Sequence, residues 1–283
     1  MYKTIEKNLN NLTYRDYYKR LSLLAKSLFK WNNLPNGIDE KWIEKYLFSE
    51  GKCMFFKDNE KGFMVAKCSD GDVLNYYDEP TALRPNATNY DNTGKSYENN
   101  VECVLIRNND DCEPTEPSIQ LFSYRLTEVT RTCDVNISAQ KTPVLILTTN
   151  KQKQTLKQVF VQWNGNAPVI YGDKEMDLTG VKVLKTDAPI VFDKLQIQKH
   201  HIWNECMTFL GINNANMDKR ERLVDDEVQA NNEQIECFAE MMLKSRQKAC
   251  ELINSIFKTN ISVEFRALKN SFMKVSEGGE DNG

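Results

Sequence analysis

A chain of 283 residues, 40% hydrophobic and 27% charged, holds enough apolar content to bury one or two cores, which excludes disorder over most of its length. Its formal net charge of −3 excludes binding of nucleic acid by uniform basicity, so any contact with phosphate must be local. Eight cysteines without a CxxC pair, and histidines only at the adjacent positions His200 and His201, suit neither a zinc site nor a small disulfide scaffold.

Reduced, mostly buried thiols are the expectation. No apolar run approaches the ~20 residues that span a bilayer. Met1 to Leu21 carries polar and charged residues where a signal peptide needs an apolar stretch, so the product is expected to stay in the cytoplasm where it is made.

The first thirty residues hold Lys3, Lys7, Arg15, Lys19, Arg20, Lys26 and Lys30 against only Glu6 and Asp16, a basic segment in an acidic chain. Leu21, Leu24, Leu28 and Trp31 follow helical spacing, and Pro35 with Gly37 ends the pattern, which predicts an N-terminal amphipathic helix. A second short helix fits Glu40 to Phe48. From Met54 to Arg107 the pattern is of short strands, Met54–Phe56, Phe63–Lys67 and Val101–Ile106. Turns at Ser69-Asp70-Gly71 and Arg84-Pro85-Asn86 separate them, giving a small, irregular β-rich part.

Pro114 and Pro117 open a strong helix whose stripe of Ile119, Phe122, Leu126 and Val129 runs on towards Val135 and Ile137, and Pro143 closes it. The period then changes: Val144–Thr149, Leu156–Trp163 and Pro168–Tyr171 read as strands, with Asn164-Gly165 as a hairpin turn, and Val181, Val183 and Leu184 add another. The second long helix has Thr186 or Asp187 as N-cap, Pro189 in its first turn, a stripe of Val191, Leu195, Ile202, Cys206 and Phe209, and Gly211 as terminator.

Asn213 to Asn232 break periodicity with the charged clusters Asp218-Lys219-Arg220-Glu221-Arg222 and Asp225-Asp226-Glu227, and read as a mobile loop, helical in part. Ile235, Ala239, Met242, Arg246, Ala249, Ile253 and Ile256 then keep helical spacing with only Arg246 polar, followed by a strand at Ile261–Phe265. The Gly-rich, acidic end from Ser276 is expected to be disordered. The sum is an α+β chain, mainly helical.

Enzyme motifs fail on their own chemistry. Thr93-Gly94-Lys95-Ser96 resembles the end of a phosphate-binding loop, but Asn89 stands where that loop needs its first glycine. His200 and His201 point about 100° apart on a helix and cannot both face one metal. Carboxylate pairs such as Asp110-Asp111 and Asp225-Asp226 could hold Mg²⁺ in a nuclease but read better as solvated loop charges. Neither a cofactor nor a catalytic residue is expected.

Several ordered stretches carry a resemblance. Lys185-Thr186-Asp187-Ala188-Pro189, Asp193-Lys194-Leu195, Trp203-Asn204-Glu205 and Met207-Thr208-Phe209-Leu210-Gly211 closely resemble portal (upper collar, head–tail connector) proteins of small podophages with protein-primed genomes. Gln140-Lys141-Thr142-Pro143, Gly165-Asn166-Ala167-Pro168 and Leu243-Lys244-Ser245-Arg246 add to it, and the likeness is dense from about Ser118 to Phe265.

The resemblance implies a portal fold: two long stem helices, an α/β clip insert, and a helical wing carrying a small SH3-like β module. On that plan 1–117 is the N-terminal arm, helices and β-rich wing part, 118–141 the first stem helix, 142–186 the clip and 187–211 the second stem helix. The channel loop is 212–232, the long wing helix and strand 233–266, and the acidic tail 267–283. It implies a non-enzymatic ring of twelve copies at one capsid vertex, passing double-stranded DNA during packaging and ejection. Partners would be the major capsid and scaffolding proteins, a lower collar or tail protein, and the packaging ATPase.

In that family two lysines flanking the start of the second stem helix project into the channel, and the matching residues are Lys185 and Lys194. Belts of mobile ammonium groups attract duplex phosphate without reading sequence, whereas arginine forks bind it bidentately and would hinder sliding. Lys219 and Arg220 match a basic pair of the channel loop, tempered by Asp218, Glu221, Asp225, Asp226 and Glu227. Lys3 and Lys7 match the arm that docks the motor. That arm is shorter and less basic here, which leaves the family's structured packaging RNA without the stretch that would hold it. The alternative from another class is a free-standing DNA-binding or assembly factor acting through the basic N-terminal helix alone.

Overall fold

A computed structural model describes residues 2–87, 94–140, 144–146, 181–183, 189–213 and 225–266. It divides into two units, Met1–Glu128 with Lys199–Gly283, and Val129–Gln198.

In the first unit α1 spans Tyr2–Ala25 and ends earlier than its spacing predicts. Ser27 turns the chain, its N–H and hydroxyl both donating to the Leu24 carbonyl at 3.0 and 2.8 Å. Phe29–Asn32 then form strand β1 instead of a further helical turn. Leu28 and Trp31 fall on the helical period by coincidence. What decides their conformation is β9, Ser262–Phe265, which pairs antiparallel with β1 in the register Phe29 to Phe265 and Trp31 to Val263. Tertiary pairing has overridden a local pattern.

Helix α2, Glu40–Glu50, starts on Asp39, whose carboxylate accepts the Lys41 N–H at 2.9 Å. Gly51 ends it at φ 74°, and a Cβ there would stand 1.8 Å from the Cys112 carbonyl oxygen, so the position admits only glycine. Five strands follow: β2 Lys52–Asp58, β3 Gly62–Asp70, β4 Ala82–Asn86, β5 Tyr97–Glu98 and β6 Cys103–Arg107. They form one sheet in the order β5-β4-β3-β2-β6. The expected turn at Arg84-Pro85-Asn86 is strand β4, with Pro85 opposite Cys68. Pro85 is tolerated because β5 pairs only with Ala82 and Leu83, leaving it near the sheet margin. Val101 lies in the turn before β6, not in the strand.

Met54, Phe56, Ala66, Leu83, Cys103 and Leu105 form one apolar cluster on this sheet. Phe55 faces the other way and meets Phe63 and Phe257 at ring separations of 5.6 and 5.5 Å. Two buried faces explain why Cys53 to Phe56 read as a continuous apolar run.

Helix α3 spans Glu116–Gln140, α4 Phe192–Phe209 and α5 Asp225–Phe257. Ile119, Phe122 and Leu126 of α3 are buried as the stripe requires, whereas Val135 and Ile137 are exposed. Helix α5 begins at Asp225, within the segment read as a loop. In the second unit β7, Val144–Ile146, pairs antiparallel with β8, Val181–Val183. The expected strands at Leu156–Trp163 and Pro168–Tyr171, the turn Asn164-Gly165, the caps Thr186 and Asp187, and the tail 267–283 lie outside the described residues. Among the described residues, no helix is long and apolar enough to cross a membrane.

Candidate functional site

Of the lysines singled out for phosphate, Lys194 is described and stands in the first turn of α4, exposed. The start of that helix is fixed from α3. The Asn136 side chain donates to the Pro189 carbonyl at 2.9 Å and accepts the Val191 N–H at 3.3 Å. The Val191 carbonyl then accepts the first helical bond, from Leu195 at 3.1 Å, so Pro189 precedes the helix instead of sitting in its first turn. One amide side chain thereby satisfies a backbone acceptor and a backbone donor that immediately precede the helix and take part in no helical bond. Asn136 carries no motif in the sequence.

Lys194, Ile197, Gln198 and His201 recur at helical intervals of three and four and are all exposed. Lys194 makes no ion pair with any described residue, while Arg131 on α3 is held by Asp134 at 2.6 Å. A hydrated ammonium on an exposed helix face attracts phosphate without fixing it in one geometry. Lys185, Lys219 and Arg220 lie outside the described residues, and Lys3 and Lys7 fall on α1.

Further along, α4 is anchored in the first unit. Ile202, Cys206, Met207 and Leu210 are buried, Arg125 reaches Glu205 at 2.9 Å, and Phe209 stands between Phe122 and Phe238 at 5.9 and 6.0 Å. Gly211 closes the helix at φ 71°: its N–H donates to Thr208 and the Ile212 N–H reaches back to Met207, at 3.0 and 2.9 Å. A Cβ on Gly211 would meet the Ala239 Cβ at 2.6 Å, so the close approach of this corner to α5 demands glycine. The exit point of the chain towards 214–224 is thus set.

Gly94, Lys95 and Ser96 lead into strand β5 rather than a helix, which removes the helix N-terminus a phosphate loop uses. None of the eight cysteines is joined in a disulfide, and five are buried. Burial pushes the Cys68, Cys103, Cys206 and Cys250 thiols up to about 12, and Cys53 well above its ordinary value. Such thiols are inert packing groups. The reading of these thiols as mostly buried holds, with Cys237 exposed.

The sequence matches the family described as Phage Connector (GP10) over residues 1–269. The chain belongs to that family. It is a connector, or portal, subunit: a structural protein of the virion, seated at the capsid vertex where DNA passes. Among solved structures, a chain of the portal and tail of native bacteriophage P68 is 17% identical with a TM-score of 0.52, over 96% of this chain and 92% of that one. That likeness establishes the portal fold. An HK97-family portal protein from Corynebacterium diphtheriae is 9% identical over 90% of this chain and 91% of its own, TM-score 0.45. A chain of the virion of a native gene transfer agent particle is 8% identical over 90% and 80%, TM-score 0.47.

Proposed function

We propose that twelve connector subunits close around double-stranded DNA, with Lys185 and Lys194 forming belts of positive charge and Lys219 with Arg220 touching the duplex from the loop between α4 and α5. The observation that carries this reading is the exposure of Lys194, uncompensated by any described carboxylate, on the helix whose far half is anchored in the core. Duplex DNA presents one charge per ~1.7 Å of axis, so a ring of ammonium groups always faces phosphate and never needs a particular base. Overall acidity does not oppose this, because the contact is confined to the bore.

On the same reading 118–141 and 187–211 are the stem, 142–186 the clip and 212–232 the channel loop. Lys3 and Lys7 at the start of α1 serve motor docking. Capsid, scaffolding and tail proteins and the packaging ATPase are the partners, and the subunit has no activity of its own. The test is a Lys185→Gln, Lys194→Gln ring. End-on negative-stain images are expected to keep the wild-type ring, while DNA retention and ionic conductance fall. A ring unchanged in both overturns the assignment of the lysines, and a wild-type chain that stays monomeric at high concentration overturns the ring.

A further inference from the structure

The turn between β3 and β4 is built to hold two tyrosines in solvent. Tyr76 and Tyr77 are 102% and 85% exposed, and Val73 and Leu74 beside them are exposed as well. The tip is not frayed. The Asn75 side-chain oxygen accepts the Tyr77 and Glu79 N–H groups at 2.8 and 3.0 Å, and the Thr81 N–H and hydroxyl both donate to the Val73 carbonyl. Asp72 is held by Arg84 and Glu79 by Arg107, which leaves Asp78 as the acid of the tip without an ion pair to any described residue.

A second exposed apolar surface lies on α1. Tyr17, Leu21 and Ala25 bury its core side, but Leu9, Leu12 and Leu23 are exposed. At about 100° per residue these three share one different side of the helix, interrupted by the exposed Asp16–Arg20 ion pair. Arg15 and Lys19 are exposed along its margin, and Lys26 stands over the Phe48 ring at 5.3 Å.

We propose that these two surfaces are the two halves of one contact between neighbouring copies of this chain: the Tyr76–Tyr77 turn of one subunit seats on the Leu12–Leu23 face of α1 of the next. The proposal rests on the ring reading above. A head-to-tail ring needs two unlike, complementary surfaces on every subunit. Both surfaces here carry exposed large apolar groups, and their net charges are opposite, basic on α1 and acidic at the tip. Helix α2 packs on β2 and β3, and Phe48 of α2 and Ala25 of α1 line one small cavity. A repeating contact requires the α1 face and the turn to lie on different sides of the subunit. A pre-ordered tyrosine pair loses little freedom on docking and suits the centre of an interface.

The experiment uses the full chain with photoreactive p-benzoylphenylalanine in place of Tyr76, mixed as ¹⁴N and ¹⁵N protein, assembled, irradiated and mapped by mass spectrometry. Mixed-isotope cross-links from position 76 to α1 peptides are expected. Tyr76→Ser, Tyr77→Ser and, separately, Leu12→Ser, Leu23→Ser should raise the assembly midpoint concentration about ten-fold or more, with the monomer's melting temperature kept. Cross-links that are same-isotope only or fall elsewhere, or variants that assemble as the wild type does, overturn the contact while the ring stands. A wild-type chain that forms no ring overturns the ring first, and the contact with it.

Discussion

Arg246 of α5 grips Glu44 of α2 with two hydrogen bonds, 3.0 and 2.9 Å, at 2% and 3% side-chain exposure. The same guanidinium donates to the Asn108 carbonyl and side-chain oxygen and to the Met242 carbonyl, each at 3.0 Å, and its carbon stands 3.9 Å from the centre of the Phe29 ring. The Trp31 indole donates to Glu44 at 2.9 Å, and Asn108 donates in turn to Glu113 and Thr115. A single cation thus ties α5, α2, β1 and the approach to α3 together, with its donors satisfied as burial demands.

Removing one partner leaves the other charge buried and unpaired. Arg246→Ala is expected to cost about 3–5 kcal/mol, read as a lower urea midpoint. The paired replacement Glu44→Leu, Arg246→Met removes both charges and should recover most of that loss. A double variant no better than the single would show that the Asn108 and Phe29 contacts, not the ion pair, carry the effect.

Gly211→Ala forces a left-handed backbone on a residue with a Cβ and drives that Cβ into Ala239. We expect a loss of about 1–3 kcal/mol from the two effects together. Ala239→Gly in the same chain removes the contact with the Ala239 Cβ but leaves those with its Cα and backbone nitrogen, at 2.9 and 3.1 Å, and the backbone strain, so thermal melting of the pair should recover only part of the loss.

Asn136→Ala strips the start of α4 of its side-chain partners. The expected cost is about 1 kcal/mol, and amide hydrogen exchange should accelerate at Val191 and not at Cys206, which lies in the anchored half. Uniform acceleration along α4 would count against a local role.

Buried thiols give the chain an alkaline limit. The ordinary thiol value is 9.0, and Cys68, Cys103, Cys206 and Cys250 are held at about 12 in the fold. Between those two values the unfolded chain gives up protons that the folded chain keeps, so stability is full below pH 9 and falls towards pH 12. Melting temperature in reductant should drop across that window, less steeply for Cys206→Ala. At neutral pH a thiol reagent should modify Cys237 first, and Cys237→Ser should abolish the fast phase.

Much of the fold is legible in the residues, because long apolar stripes and proline or glycine stops act locally. The stripe of Ile119, Phe122 and Leu126 and the closure at Gly211 are where spacing puts them. Errors arise where a distant partner decides. Leu28 and Trp31 imitate helical spacing, but β9 draws the segment into a strand. Pro85 imitates a turn inside β4, and the start of α4 depends on Asn136, more than fifty positions earlier. The buried ion pair announces itself faintly, since Arg246 is the lone polar residue in the stripe of α5, yet nothing near Glu44 marks it as the partner. Of the proposed channel residues only Lys194 lies among the described ones with its side chain, and its exposure is that of an ordinary surface lysine.

The pairing of β1 with β9 also sets an order of events in the infected cell. Phe29 and Trp31 are buried, and their cover comes from residues as late as Phe265. While the ribosome is still working through the intervening chain, the mate of β1 does not exist, and its apolar edge is open to any strand that passes. Packing of this corner waits for translation to reach β9. A nascent subunit therefore carries an uncovered apolar edge until the last strand is made, and a chaperone that shields the Phe29 segment until then would be expected to raise the yield of correctly folded subunits.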